Sequence, residues 1–243
     1  MMKRLLMMLL VATLVSATQA AVVSLGSDAD TWVRDGSGSN YGDAPELYLL
    51  GDVGRVAYYR FDLSSLGSGA TIQSAALTLT KVAAPWGRSD SMVTSRVGIV
   101  GLDNITGNTP QNWDEFALTA GNVGDEFVGG SGGAEPIDLT RATNLDAEAG
   151  ADVSEHVADG VVFTLTGNDL VDFLQARVDE GGLVTLIATL TQADQRGFWL
   201  GSKEHPDEAS RPVLEVTYVP EPATLALLGL GSLATIRRKR ESL

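Results

Sequence analysis

Residues 55–81, RVAYYRFDLSSLGSGATIQSAALTLTK, read as two β-strands joined by a turn-rich link. From Val56 to Leu63 the side chains alternate across a pleat. Ala57, Tyr59, Phe61 and Leu63 fall on one face, and Val56, Tyr58, Arg60 and Asp62 on the other. The first face suits a core and the second carries charge. Ser64, Ser65, Gly67, Ser68 and Gly69 then break the pattern with residues that tolerate turn geometry. Ala75, Leu77 and Leu79 resume it, alternating with Ala76 and Thr78, as a half-buried second strand.

Outward from this pair, shorter strands are expected around Val22–Leu25, Leu47–Leu50, Val97–Leu102, Val161–Thr166, Leu183–Leu190 and Val213–Tyr218. One helix is expected over 168–179, because Leu170, Phe173, Leu174 and Val178 share a helical face. Asn122 to Gly160 is Gly-rich and acidic with little periodicity, and reads as long surface loops. Many short strands, few long helices and 27 glycines in 243 residues predict an all-β fold, an antiparallel β-sandwich with a jelly-roll-like path and one short helix. The chain is long enough to bury a proper core, and the absence of cysteine excludes disulfides and thiolate metal sites.

The net charge of −14 conceals a sharper local balance. Between Val22 and Pro220 eleven Lys and Arg face twenty-nine Asp and Glu, a net charge of −18. Nucleic acid is a poor partner for such a surface, and a polyanionic glycan is disfavoured too.

The two ends are addresses. Residues 1–20 have Lys3 and Arg4, an apolar run from Leu5 to Val15, and Thr18-Gln19-Ala20, the layout of a secretory signal peptide cut by signal peptidase after Ala20. At the other end Pro220-Glu221-Pro222 precedes an apolar segment, 223–236, and a basic cluster, Arg237-Arg238-Lys239-Arg240. Fourteen residues span about 21 Å as a helix, short of the roughly 30 Å hydrocarbon core. The basic cluster resists translocation, so the segment reads as an inner-membrane anchor with the domain outside. This tripartite order in 219–243 resembles the PEP-CTERM sorting signal of Gram-negative bacteria. The resemblance implies processing by an exosortase near Pro220-Glu221-Pro222, and delivery to the cell surface or extracellular matrix of a host that makes extracellular polysaccharide.

Residues 21–218 form the expected domain. Asp30-Thr31, Asn40-Tyr41-Gly42, Arg60-Phe61-Asp62-Leu63-Ser64, Ala75-Ala76-Leu77-Thr78-Leu79, Trp113, Phe163-Thr164-Leu165, Ser202-Lys203-Glu204 and Arg211-Pro212-Val213-Leu214, in that order, resemble the DNRLRE domain. That family comprises secreted β-sandwich modules found beside polysaccharide-active domains, some of them carbohydrate-binding modules. Tyr58 and Tyr59 depart from it by replacing aliphatic residues, as does a long acidic loop over 122–152.

Candidate ligand contacts are the aromatic residues Trp86, Trp113, Trp32, Tyr41 and Trp199, because an aromatic face held in a loop stacks on a sugar ring. Asp35, Asn40 and Asp43 are candidate calcium ligands, oxygen donors on a flexible Gly/Ser loop without the spacing of a known calcium motif. Arg60, Asp62, Lys203 and Glu204 are expected to form a structural ion-pair network between strands. The two histidines, His156 and His205, stand in polar loops, and no nucleophile elbow or phosphate loop occurs, so no catalytic residue is assigned. The expected function is non-catalytic binding of extracellular polysaccharide. The alternatives are a structural matrix or adhesion protein without glycan recognition, and a polysaccharide-degrading enzyme.

Overall fold

The computed structural model describes residues 19–34, 36–50, 54–85, 97–102, 112–120, 143–149, 158–190 and 197–221. The opening stretch forms β4 (Arg55–Asp62) and β5 (Thr71–Val82), linked through a 3-10 turn at Ser64–Leu66. Before them come β1 (Ala21–Gly26), β2 (Ala29–Arg34) and β3 (Glu46–Leu50). After them come β6 (Val97–Gly101), β7 (Thr143–Ala149), β8 (Val162–Thr166), α1 (Asn168–Asp179), β9 (Leu183–Leu190), β10 (Gly197–Gly201) and β11 (Val213–Val219). All the pairings are antiparallel.

Eight of these strands wind into a jelly roll. One sheet runs β1-β11-β5-β8 and the other β4-β9-β6-β7, each joined by pairings between strands distant in sequence. The remaining three are additions at one end. β2 extends the second sheet beyond β4, while β10 pairs with β3 and touches only the last two residues of β5.

The alternation read in β4 sorts its side chains between two cores. Ala57, Tyr59, Phe61 and Leu63 enter the main core between the sheets, with Leu77 and Leu79 from β5. Val56 and Tyr58 point the other way but are also buried, against Ala29, Val33, Ile187, Trp113 and Leu118. The outer face of β4 is therefore charged only at its far end, where Arg60 is half-buried and Asp62 exposed. The segment 112–120 supplies the cover.

In α1, Leu170, Phe173, Leu174 and Val178 are buried, as their spacing requires. Gly167 precedes the helix without a side-chain cap. The region expected to be loops from Asn122 to Gly160 contains β7. Thr143, Leu145, Ala147 and Ala149 alternate with Asn144, Asp146 and Glu148, but these residue types have little β propensity, and the ladder offered by β6, with a bulge between Ile99 and Val100, holds the strand.

Candidate functional site

The strands added to the jelly roll build a cleft of about 280 Å³ lined by Trp32, Tyr41, Glu46, Tyr48, Arg55 and Trp199, with Ala44 and Pro85. Strand alternation aims these side chains. Leu47 and Leu49 of β3 go inward, leaving Glu46 and Tyr48 on the other face. Trp199 of β10 sits directly opposite Tyr48 in the ladder, and their rings meet edge to face with centroids 3.6 Å apart. Trp32 of β2 lies edge-on to Tyr48 at 5.8 Å and stacks on Tyr41 at 3.7 Å with 15° between the planes. The Arg55 guanidinium lies 4.5 Å from the Tyr48 centroid and 5.8 Å from that of Trp32.

Three of the five sequence-predicted aromatic residues, Trp32, Tyr41 and Trp199, are thus brought together. Trp199 is 7% exposed, and its indole N–H is buried with no hydrogen-bond partner among the described residues. A buried donor left unpaired costs stability of the order of 1–3 kcal/mol. Tyr48, Arg55 and Glu46 were not among the candidates, although the alternation of β3 carried the signal for Tyr48 and Glu46.

Trp113 does not join them. It is 5% exposed, inside the second core, with its indole N–H donated to Thr185 Oγ1 at 3.0 Å and Arg60 over its ring at 5.5 Å. The expectation of an exposed stacking residue at Trp113 is corrected on this point: a polar sequence neighbourhood does not reveal that a segment folds back over a sheet. Trp86 lies outside the described residues.

The loop carrying Tyr41 is clamped. Asn40 Nδ2 donates to the carbonyls of Glu115 and Leu118, and Asn40 Oδ1 accepts from Gly42 N at 3.0 Å. Gly42 is required by close approach, since a Cβ there would lie 2.2 Å from the Glu115 carbonyl oxygen. Of the three candidate calcium ligands, Asn40 is thus engaged in the clamp, Asp43 is exposed, and Asp35 lies outside the described residues. Among the described residues no group of three or more acidic or histidine side chains is placed to hold a metal.

Arg60, Asp62, Lys203 and Glu204 separate into distinct contacts rather than one network. Arg60 pairs with Asp28 at 2.9 Å and reaches Asn112 Oδ1 and the Trp113 carbonyl. Asp62 accepts from Ser64 N at 2.8 Å, and its hydrogen bonds with Ser64 hold its pKa below the usual range, aided by Arg60. Lys203 bridges Glu115, at 3.0 Å, and Glu204. Burial alone would lower its pKa, but the hydrogen bonds to Glu204 and Glu115 outweigh that and raise it. Glu115 Oε2 also accepts from Asp30 N at 3.1 Å. Asp28, Asp30 and Glu115 are therefore the partners that the sequence left unnamed.

The tail leaves the far end of the sandwich. Val219 closes β11 opposite Thr71, the first residue of β5. Two residues on, Glu221 lies over Gly69, where a Cβ would come 2.5 Å from Glu221 Cδ. Pro220 and Glu221 are described; Pro222, the segment 223–236 and Arg237, Arg238, Lys239 and Arg240 lie outside the described residues, as does the N-terminal stretch 1–18. Among the described residues no helix is long and apolar enough to cross a membrane.

What the fold and the tail define together is an all-β protein with an export address. Residues 219–240 match the family model of the PEP-CTERM protein-sorting motif, which supports an exported protein, transiently anchored through its tail and processed by exosortase. No curated protein matches the chain.

Proposed function

We propose that this is a non-catalytic surface or matrix protein that binds a neutral extracellular polysaccharide in the cleft of Trp32, Tyr41, Tyr48 and Trp199. The observation that carries the reading is the convergence of four aromatic side chains on one cleft. Rings offer an apolar face to a pyranose, and the Glu46 carboxylate beside them offers an acceptor to its hydroxyls. The resemblance to the DNRLRE domain agrees with this reading. So does sorting by exosortase, which the family is expected to share with hosts that make extracellular polysaccharide.

The rival is a structural matrix or adhesion protein without glycan recognition. It draws on Arg55, whose guanidinium already stacks on two of the rings. A glycan array with the mature protein, run with and without calcium, separates the two. Binding of a defined neutral glycan set that is lost in Tyr41→Ala and weakened in Trp199→Phe supports the cleft. Uniform absence of binding favours the structural role, and release of reducing ends or unsaturated products would make the protein an enzyme. Dependence on calcium would return Asp35, Asn40 and Asp43 to consideration.

A further inference from the structure

The cleft is small for a polymer. Its 280 Å³ falls just below the range of about 300–1,000 Å³ for pockets that enclose a drug-sized ligand, so a polysaccharide seated there must continue across the surface outside. Among the described residues the exposed large apolar side chains are Val22, Phe116, Val161 and Val162, and Phe116, at 62% exposed, is the aromatic one.

Phe116 follows Glu115, whose carbonyl abuts the loop that carries Tyr41. A Cβ on Gly42 would lie 2.6 Å from the Glu115 carbonyl carbon, the atom bonded to Phe116 N, and Gly42 directly follows Tyr41. The backbone on either side of the phenyl ring is pinned. Asn40 Nδ2 holds the Glu115 and Leu118 carbonyls, Phe116 N donates to Asp114 Oδ1 at 2.9 Å, and the Glu115 carboxylate is tied to Asp30 N and Lys203. In this arrangement the ring is exposed while its neighbours Trp113 and Leu118 are buried in the second core. The apolar ring stays in water on a rigid support, the arrangement in which a stacking contact costs least to order.

Charge restricts what can cross it. Exposed Asp43 and Asp114 flank Tyr41 and Phe116, Lys203 is already taken by Glu115 and Glu204, and Glu46 offsets Arg55 inside the cleft. A chain of uronates would meet net repulsion along this path, whereas a chain of neutral pyranoses would not.

We propose that Phe116 is a second stacking platform, and that the ligand is the interior of a neutral glycan chain running from the cleft past Tyr41 and over Phe116. This rests on the glycan reading of the cleft. The test is titration calorimetry of the full mature protein with neutral gluco-, manno- and xylo-oligosaccharides of two and six residues, with hexagalacturonate as the charged probe. At least one neutral hexamer is expected to bind about tenfold or more tightly than its dimer. Phe116→Ala should remove that gain while leaving dimer affinity and the unfolding midpoint unchanged, Phe116→Tyr should restore it, and Tyr41→Ala should abolish binding of both lengths. If Phe116→Ala binds the hexamer as wild type does while Tyr41→Ala loses it, the second platform is refuted and the cleft stands. Tighter binding of hexagalacturonate overturns the neutral ligand alone. No binding of any neutral oligomer removes the cleft and the platform together.

Discussion

Replacing Asp30 by asparagine should stabilise the domain at alkaline pH and leave it unchanged in acid. Asp30 is fully buried, opposite Tyr59 in the β2–β4 ladder. Oδ2 accepts from Ser27 Oγ at 2.7 Å and from Lys203 N at 2.8 Å, whereas buried Oδ1 has no partner among the described residues. Burial pushes its pKa up from 3.8 to about 7, against the hydrogen bonds from Ser27 and Lys203 N, and the nearby charge of Glu204 adds to the rise. Because the folded state holds this proton more tightly than the unfolded chain, the group favours folding fully below pH 3.8. Stability is then lost as pH climbs towards 7. A rise of about three units corresponds to roughly 4 kcal/mol at most, at about 1.36 kcal/mol per unit. An asparagine amide keeps an acceptor for Ser27 and Lys203 and places N–H₂ where the extra proton would sit, so Asp30→Asn mimics the protonated acid at every pH. Urea unfolding of both proteins at pH 4, 6 and 8 reads the difference directly, since other titrating groups are common to the pair. It should be about 0.6 kcal/mol at pH 4 and approach about 4 kcal/mol in favour of the variant at pH 8. A difference that stays constant across that range would refute the buried, protonated Asp30.

Trp113→Ala should destabilise by about 3–5 kcal/mol, the usual cost of emptying an aromatic site in a core, measured by the same unfolding assay. Where the variant remains folded it should keep the wild-type affinity for whatever glycan the cleft takes, which separates core from site. Gly42→Ala should cost about 1–3 kcal/mol, because its methyl group would meet a backbone carbonyl that cannot rotate away; a neutral result would show that the 36–45 loop is not seated on Glu115. Mass spectrometry of protein isolated from its native host should find Arg237 to Leu243 missing, and an intact tail on the mature protein would contradict processing near Pro220-Glu221-Pro222.

The main sandwich was legible because both sheets are built from strands whose alternation or β-branched content survives in isolation. Val56 to Leu63 declared both faces, and α1 declared its buried stripe. β7 was missed because Ala, Asn, Asp and Glu have little β propensity, although Leu145, Ala147 and Ala149 alternate with Asn144, Asp146 and Glu148. The second core was hidden for a related reason: Tyr58 looked like the exposed side of an amphipathic strand until residues 112–120 were seen to cover it. The cleft was half legible. Residue type singled out Trp32, Tyr41 and Trp199, but only the opposition of β3 and β10 joins Trp199 to Tyr48, and only the closure of β2 on β4 brings in Trp32. Composition marked both Trp113 and Trp199 as binding candidates and had no means of separating them.

β5 has a direction that matters once the protein is tethered. Its first residue, Thr71, pairs with Val219, where the sorting tail departs, and its last, Val82, pairs with Trp199 at the cleft. Twelve residues at about 3.3 Å each make the two ends roughly 35 Å apart along the strand. Only Pro220 and Glu221 separate the last paired residue from Pro222, a reach of at most about 10 Å. On a molecule still fastened by its tail, the cleft therefore lies at the end of β5 away from the point where the tail departs.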